Sequence, residues 1–315
     1  VEPTAAHQPP LDRHRPGANT SPVADFVTPA YKAVSGLARL LPHSVAAAGA
    51  RGLGRVAGRL AKGRRAQVER NLRRIDPTLS GRRLQRLVDE TFVSYARYYE
   101  ESFRLPGTSA ADLDAGFQSD GWHLLDAALD EGNGAIMAMP HLGGWEWSGF
   151  WVTQVQGRGV TAVVERLDPP ELFEWFVELR RSFGFDVVAL GPDAGTLTAR
   201  ALRANHTLAL LCDRDLTGTG PEVTFFGERT TLPGGPATLA LRTGAPILPT
   251  AVYFDGPDLR RSVVLPRLDT TRQGKLRDDV QRVTQDLAYA LEDLIRRAPE
   301  QWHLLQPNWP SDTTP

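Results

Sequence analysis

GAIMAMPHLGGWEWSG, spanning Gly134–Gly149, is the stretch on which the reading of the chain turns. Gly134–Met139 is a short apolar run, long enough for a buried strand and too short for a helix. Pro140 ends it, His141 opens a turn that contains Gly143 and Gly144, and a helical segment follows from Trp145 with Glu146 just inside it. Strand, glycine turn and helix in this order form the repeating unit of a helix-covered parallel sheet.

The same alternation extends on both sides. Strands are expected at Val160–Val164, Phe185–Leu190, Thr207–Cys212, Val223–Phe226, Pro246–Tyr253 and Ser262–Leu265. Helices fall between most of them, at Trp145–Gln154, Pro170–Phe183, Gly195–Arg203 and Pro236–Arg242, and the last long one at Gly274–Arg297. The fold class is therefore α/β, a mainly parallel central sheet covered by helices, with N-terminal amphipathic helices before it. From Val23 to about Lys62 apolar residues recur at helical spacing and predict two helices, interrupted by Pro42 and a glycine-rich patch. Two more helices are expected, one through Asn71 and one over Gly81–Phe103. The expected organisation is a tail (1–22), one domain (23–310) made of a helical docking part (23–105) and an α/β catalytic part (106–310), and a second tail (311–315).

Composition is ordinary for a globular enzyme, with 41% hydrophobic and 23% charged residues. A net charge of -1 hides a basic stretch, since Arg51–Arg74 carries nine basic residues against the single acid Glu69. Arg51, Arg55 and Arg59 fall four apart and share a helix face with Lys62 nearby, so an anionic surface is the expected contact. A solvated face of a packed helix is the other reading. Cys212 is the only cysteine, which leaves no intramolecular disulfide and no cysteine cluster for a metal. Residues 1–22 hold five prolines and no apolar run, and no window reaches the roughly 18 apolar residues of a membrane span. Membrane contact is expected from the side.

His141 stands at the carboxyl end of a strand, where catalytic groups of open α/β sheets gather. A carboxylate hydrogen-bonded to one ring nitrogen fixes the tautomer and leaves the other nitrogen as a base. On a continuous helix Glu146 would lie about 140° away from His141, but Gly143 and Gly144 can fold the turn and bring it back. The alternative is a histidine that caps the helix, with Glu146 favoured in the first turn by the helix dipole. Asp213 and Asp215 follow the strand at Thr207–Cys212 and are expected at the same sheet edge, or else order a loop with Arg214. Glu165, Arg166 and Arg180 are further candidates, the arginines for a phosphate or an oxyanion. Gly234 and Gly235, in PGGPATLA, precede a helix start and offer backbone amides to an anion, or serve as a plain helix entry. Trp145, Trp147, Phe150 and Trp151 crowd one helix, as a core or as the wall of an acyl pocket. No Gly-x-Ser-x-Gly elbow occurs, and the two-histidine helical zinc spacing is missing. His303 is read first as structural.

The His-x4-Glu element after an apolar strand resembles the signature of the lysophospholipid acyltransferase superfamily. LLCDRDLTGTG (210–220), VTFFGERTTLPGGPATLALRTGAPILP (223–249) and QWHLLQPNWP (301–310) resemble its lipid A lauroyl-acyltransferase-like branch. SYARYYEESFRLP (94–106) and VVERL (163–167) are most similar to the phosphatidylinositol mannoside acyltransferases of that branch. The resemblance implies an acyl tunnel and direct transfer from acyl-CoA or acyl carrier protein, with His141 and Glu146 as the catalytic pair and Asp213 in an acidic element beside them, where similar members carry Glu. It implies no metal or redox cofactor. The partners it implies are a membrane glycolipid acceptor, an acyl-CoA donor and the anionic inner-membrane surface, with no nucleic acid, at the cytoplasmic face of the cell membrane. Two alternatives stay open: an acyltransferase with a lysophospholipid or lipid A-like acceptor, and a non-catalytic protein that binds anionic lipid.

Overall fold

The computed structural model describes residues 41–165 and 170–313. The first of the two expected N-terminal helices lies outside them. The second is α1, His43–Leu60, followed by α2, Lys62–Ile75, and the long α3, Gly81–Arg104. The glycine-rich patch expected to interrupt α1 does not. Gly54 and Gly58 are buried against α3, and a Cβ at Gly54 would stand 2.7 Å from the Phe92 carbonyl oxygen. Each glycine costs a helix about 1 kcal/mol, and here the close approach of two helices offsets that cost. The opposite face of α1 is exposed and carries Val45, Leu53, Val56 and Leu60 among Arg51, Arg55 and Arg59. Among the described residues no helix is long and apolar enough to cross a membrane.

The central sheet has seven strands in the order β1-β9-β8-β2-β5-β3-β4. These are β1 Phe117–Asp120, β2 Ala135–Met139, β3 Val160–Val164, β4 Phe185–Ala189, β5 Thr207–Leu211, β8 Ile247–Asp255 and β9 Leu259–Val264. The five from β8 to β4 run parallel, and only the β8–β9 pair is antiparallel. The mainly parallel sheet expected from the strand–helix alternation is present. A separate hairpin, β6 Glu222–Phe225 and β7 Glu228–Thr231, stands outside it, so the strand expected at Val223–Phe226 does not join the main sheet. Helices α4 Ala110–Ala115, α5 Trp122–Asp130, α6 Trp145–Gln154, α7 Pro170–Ser182, α8 Ala194–Arg203, α9 Gly235–Thr243 and α10 Leu276–Arg296 complete the fold.

Strand β2 lies at the centre and is buried on both faces, which is why it reads as an unbroken apolar run rather than an alternation. Ile136 and Ala138 join the core beneath α9 and α10, while Met137 and Met139 face the side that holds Trp145. The C-terminal segment seals the first of these cores with Trp302, Leu304 and Trp309, the last stacked on Phe225. Residues 311–313 are not a loose tail. Asp312 is buried and accepts hydrogen bonds from Arg74 at 2.7 Å and Gln67 at 2.8 Å, which ties the chain end to α2.

Candidate active site

The turn after β2 is held from two sides. Gly143 donates its N–H to the Gln301 carbonyl at 3.0 Å, and Gly144 donates to the Val252 carbonyl of β8 at 3.2 Å. The His303 N–H returns to the His141 carbonyl at 2.7 Å. Gly143 has φ +62°, and a Cβ there would overlap the Val252 carbonyl oxygen, so the turn needs glycine at this position on both counts. Thus β8 and the 301–303 segment set the orientation of His141.

The carboxylate on His141 is that of Asp213. Its Oδ1 lies 2.6 Å from His141 Nδ1, and its Oδ2 accepts the His141 backbone N–H at 3.1 Å and the Trp302 indole N–H at 2.7 Å. Burial pushes the Asp213 carboxyl up, but His141 and the Trp302 and backbone donors together hold it below the ordinary value. An ionised carboxylate can only accept, so the proton of the imidazole sits on Nδ1 and Nε2 keeps its lone pair. The His141 side chain is 32% exposed while Asp213 is sealed.

Glu146, expected to orient His141, is instead paired with Arg180. Both Glu146 oxygens take guanidinium N–H groups, and Oε1 also accepts the Tyr98 hydroxyl at 3.2 Å. The glycines do fold the turn, but they carry His141 toward the loop after β5 and leave Glu146 in the first turn of α6, facing α3 and α7. Burial acts against the Arg180 charge, and Glu146 more than offsets it. The Tyr98 hydroxyl is pushed well above its ordinary value by burial and by Glu146. Arg180, read as a candidate for phosphate or oxyanion, is thus engaged within the protein.

Asp213 and Asp215 do not act as a pair. β5 ends at Leu211, and past it the chain turns, so Asp215 accepts from Gly220 at 2.7 Å and Thr217 at 2.9 Å and orders its own loop. Arg214 is half-buried beside Asp213. Glu165 is exposed at the end of β3, and Arg166 lies outside the described residues. Gly234 packs on Pro221 and Val280 at the entry to α9, which Gly235 begins with Pro236 behind it, the geometry of a helix start.

Residues that spacing did not single out complete the site. Trp145 stacks on Tyr98 at 4.1 Å between ring centres and meets His141 edge-on at 5.8 Å. His303, 5% exposed, shares a hydrogen bond with Ser94 at 2.9 Å through Nε2, while its Nδ1 has no partner among the described residues. Burial and the neighbouring His141 push it down to about 3, so it is neutral. For Ser94, Tyr98 and His303 the 94–106 and 301–310 blocks carried the only signal, as resemblance rather than geometry, whereas the sequence reads Trp145 as core or pocket wall.

A slot opens between the sheet and α6. Its cavity volume is about 50 Å³. Met137, Met139, Ala162, Val164, Ala209 and Leu211 line its sheet side, and Trp145, Glu146, Gly149 and Val152 its helix side. Its lining is apolar except near the Glu146–Arg180 pair and at Ser148 and Thr207. Trp145 belongs to the slot wall and also meets His141 edge-on, so one side chain links the slot to the His141–Asp213 pair.

The chain matches the family model described as bacterial lipid A biosynthesis acyltransferase over residues 22–311. It is 39% identical to the phosphatidylinositol mannoside acyltransferase of Mycolicibacterium smegmatis over 290 residues, 90% of this chain and 91% of the relative. It is 41% identical to the protein of that name from Mycobacterium tuberculosis (strain H37Rv) over 254 residues, 78% of this chain and 77% of the relative. A histidine–carboxylate pair at the mouth of an apolar slot and similarity along nearly the whole length agree: the chain is an O-acyltransferase and belongs to the bacterial lipid A biosynthesis acyltransferase family.

Proposed function

We propose that the protein transfers a long fatty-acyl group from an acyl-CoA or acyl carrier protein thioester to a sugar hydroxyl of a membrane glycolipid, a mannose of phosphatidylinositol mannoside, with His141 as general base. The observation that carries the reading is the Asp213–His141 pair set against the mouth of the apolar slot. His141 Nε2 takes the proton of the acceptor hydroxyl as its oxygen attacks the thioester carbonyl. The tetrahedral intermediate collapses, the carbon–sulfur bond breaks, and the leaving thiolate takes the proton from the imidazolium, which restores the neutral imidazole. An ester and a free thiol result, with no covalent enzyme intermediate. Asp213 stabilises the imidazolium through Nδ1 in the interval.

The acyl chain lies in the slot, where burial of each methylene contributes about 0.8 kcal/mol. Arg214, beside Asp213, and Arg166 are the cations assigned to donor or acceptor phosphates. The mannoside acceptor is supported by the names of the two relatives. The exposed face of α1, apolar residues among arginines, is assigned to the anionic cytoplasmic surface of the membrane, where the acceptor resides.

The test is acyl transfer from palmitoyl-CoA to purified phosphatidylinositol mannosides by wild type and His141→Ala. The expected result is mannoside ester formed by wild type and lost by about 10² to 10⁴ in the variant. Acylation of a lysophospholipid or a lipid A-like acceptor in preference to the mannosides would keep the chemistry and overturn the acceptor.

A further inference from the structure

Trp302 touches both halves of the site. Its backbone makes an antiparallel bridge with Leu142, the residue after the base, between the Gly143–Gln301 and His303–His141 bonds that fasten the turn after β2. Its indole N–H donates at 2.7 Å to Oδ2 of Asp213, in the loop after β5. One residue from a third segment of the chain therefore ties the turn that carries the base to the loop that carries the acid. The ring itself is held by packing: it is 3% exposed and lies edge-on to Phe225 at 6.1 Å and to Trp309 at 6.4 Å, with Phe226 at 5.6 Å. The aromatic neighbours thus aim the N–H.

The chemistry of the donor matters as well as its place. Asp213 is fully buried, and a carboxylate stays ionised there only when its oxygens are hydrogen-bonded. Oδ1 has His141 Nδ1, and Oδ2 has the His141 backbone N–H and the Trp302 indole. Both partners of Oδ2 can donate and cannot accept. A hydroxyl in the place of the indole could turn round and accept from a neutral acid, whereas a proton on Oδ2 here would face two N–H groups. The shared proton is left between Oδ1 and Nδ1, which keeps Nε2 free as the base.

We propose that Trp302 is a positioning residue for acyl transfer, its indole N–H holding the Asp213 carboxylate ionised and turned so that Oδ1 meets His141, an inference that rests on His141 being the general base. The other ionisable neighbours of this carboxylate are His303, which is neutral, the Cys212 thiol, which burial pushes up, and Arg214, next in the chain. Among the described residues none of the three donates a hydrogen bond to Oδ2. Trp302 is not part of the slot lining, so its effect falls on proton transfer rather than on donor binding.

The experiment compares wild type, Trp302→Phe, and a protein in which benzothienylalanine replaces Trp302, with sulfur where the indole N–H was. The last keeps the ring volume and removes only the donor. Palmitoyl transfer from palmitoyl-CoA to purified phosphatidylinositol mannosides is followed across about pH 5 to 9, the range in which the acidic limb of kcat/KM reports the His141–Asp213 pair. Without the N–H the pair holds its proton more tightly. The limb should move to higher pH by about one to two units, the worth of a hydrogen bond to a charged group, and kcat/KM on the limb should fall about 10- to 100-fold. The rate should recover toward the alkaline plateau, with the donor KM within about twofold of wild type. Thermal unfolding checks that each variant is folded, and if Trp302→Phe is not, the benzothienylalanine protein decides. A wild-type limb in the benzothienylalanine protein overturns the proposal, and so does a loss of the same size at every pH, which is the mark of packing alone. Acyl transfer that survives His141→Ala overturns the base reading, and the proposal with it.

Discussion

Asp213 and His141 are 72 residues apart in the chain, yet Oδ1 of the sealed Asp213 stands 2.6 Å from Nδ1 of the part-exposed His141. Asp213→Asn keeps the shape and removes the charge that stabilises the imidazolium. The expected result is a fall in kcat of about 10² to 10⁴ with the acyl-donor KM little changed. Steady-state kinetics with a fixed acceptor reads this out, and a fall of less than tenfold would show that the pair does not run the proton transfer.

Glu146 and Arg180 form a buried ion pair, their side chains 4% and 14% exposed. Glu146→Gln leaves the guanidinium without its counter-charge and should cost roughly 3–5 kcal/mol of stability, whereas Glu146→Gln combined with Arg180→Met should recover much of the loss. Urea unfolding measures both. If the single variant unfolds at the wild-type midpoint, the pair does not hold α6 to α7.

Glu100 gives a pH dependence with a definite sign. Burial first, and the adjacent Glu101 next, push its carboxyl up to about 7 against the partial relief of Arg104, Arg260 and Arg97, with His43 Nδ1 3.8 Å away. The folded state therefore holds this proton more tightly than the unfolded chain. Stability from this group is intact below the ordinary carboxylate value and is lost as pH rises toward 7. Glu100→Gln, which cannot ionise, should match wild type near pH 4.5 and exceed its Tm by about 2–4 °C above pH 7. A Tm difference that does not change with pH would contradict the assignment.

The exposed face of α1 makes a prediction about vesicles. Each arginine near an anionic surface contributes about 1 kcal/mol, so replacing Arg51, Arg55 and Arg59 by Gln should weaken binding to vesicles rich in anionic lipid about 100-fold. Leu53→Asp should weaken binding to neutral vesicles as well, since Leu53 is 71% exposed and apolar. Co-sedimentation tests both, and unchanged binding in the triple variant would remove α1 from the membrane contact.

The sheet was legible because β2 and β3 are buried on both faces and β5 is buried or half-buried throughout, so that they form short apolar runs between turn residues. β1 was not, since Phe117–Asp120 carries one buried residue in four, and β7, Glu228–Thr231, is polar throughout. His141 was legible from its place at a strand end. Asp213 was expected at the same sheet edge, after the strand that is β5, but its pairing with His141 was not legible, because spacing along the chain favours the near carboxylate Glu146. The pairing of Arg180 with Glu146 was hidden for the same reason, as the two are 34 residues apart on different helices. Gly54 and Gly58 show the opposite failure: glycine reads as a break when nothing in the sequence reveals the helix that needs to come close.

The catalytic turn is fastened by residues 301–303, and Trp302 also supplies a hydrogen bond to Asp213. Synthesis on the ribosome runs from the other end, and the basic helix α1 emerges some 240 residues earlier by subtraction of its last position from that of Trp302. Translation therefore delivers α1 well before the segment that fastens the His141 turn. A chain that lacks this last segment would lose the Gln301 and His303 backbone bonds to the turn and the Trp302 donor to Asp213.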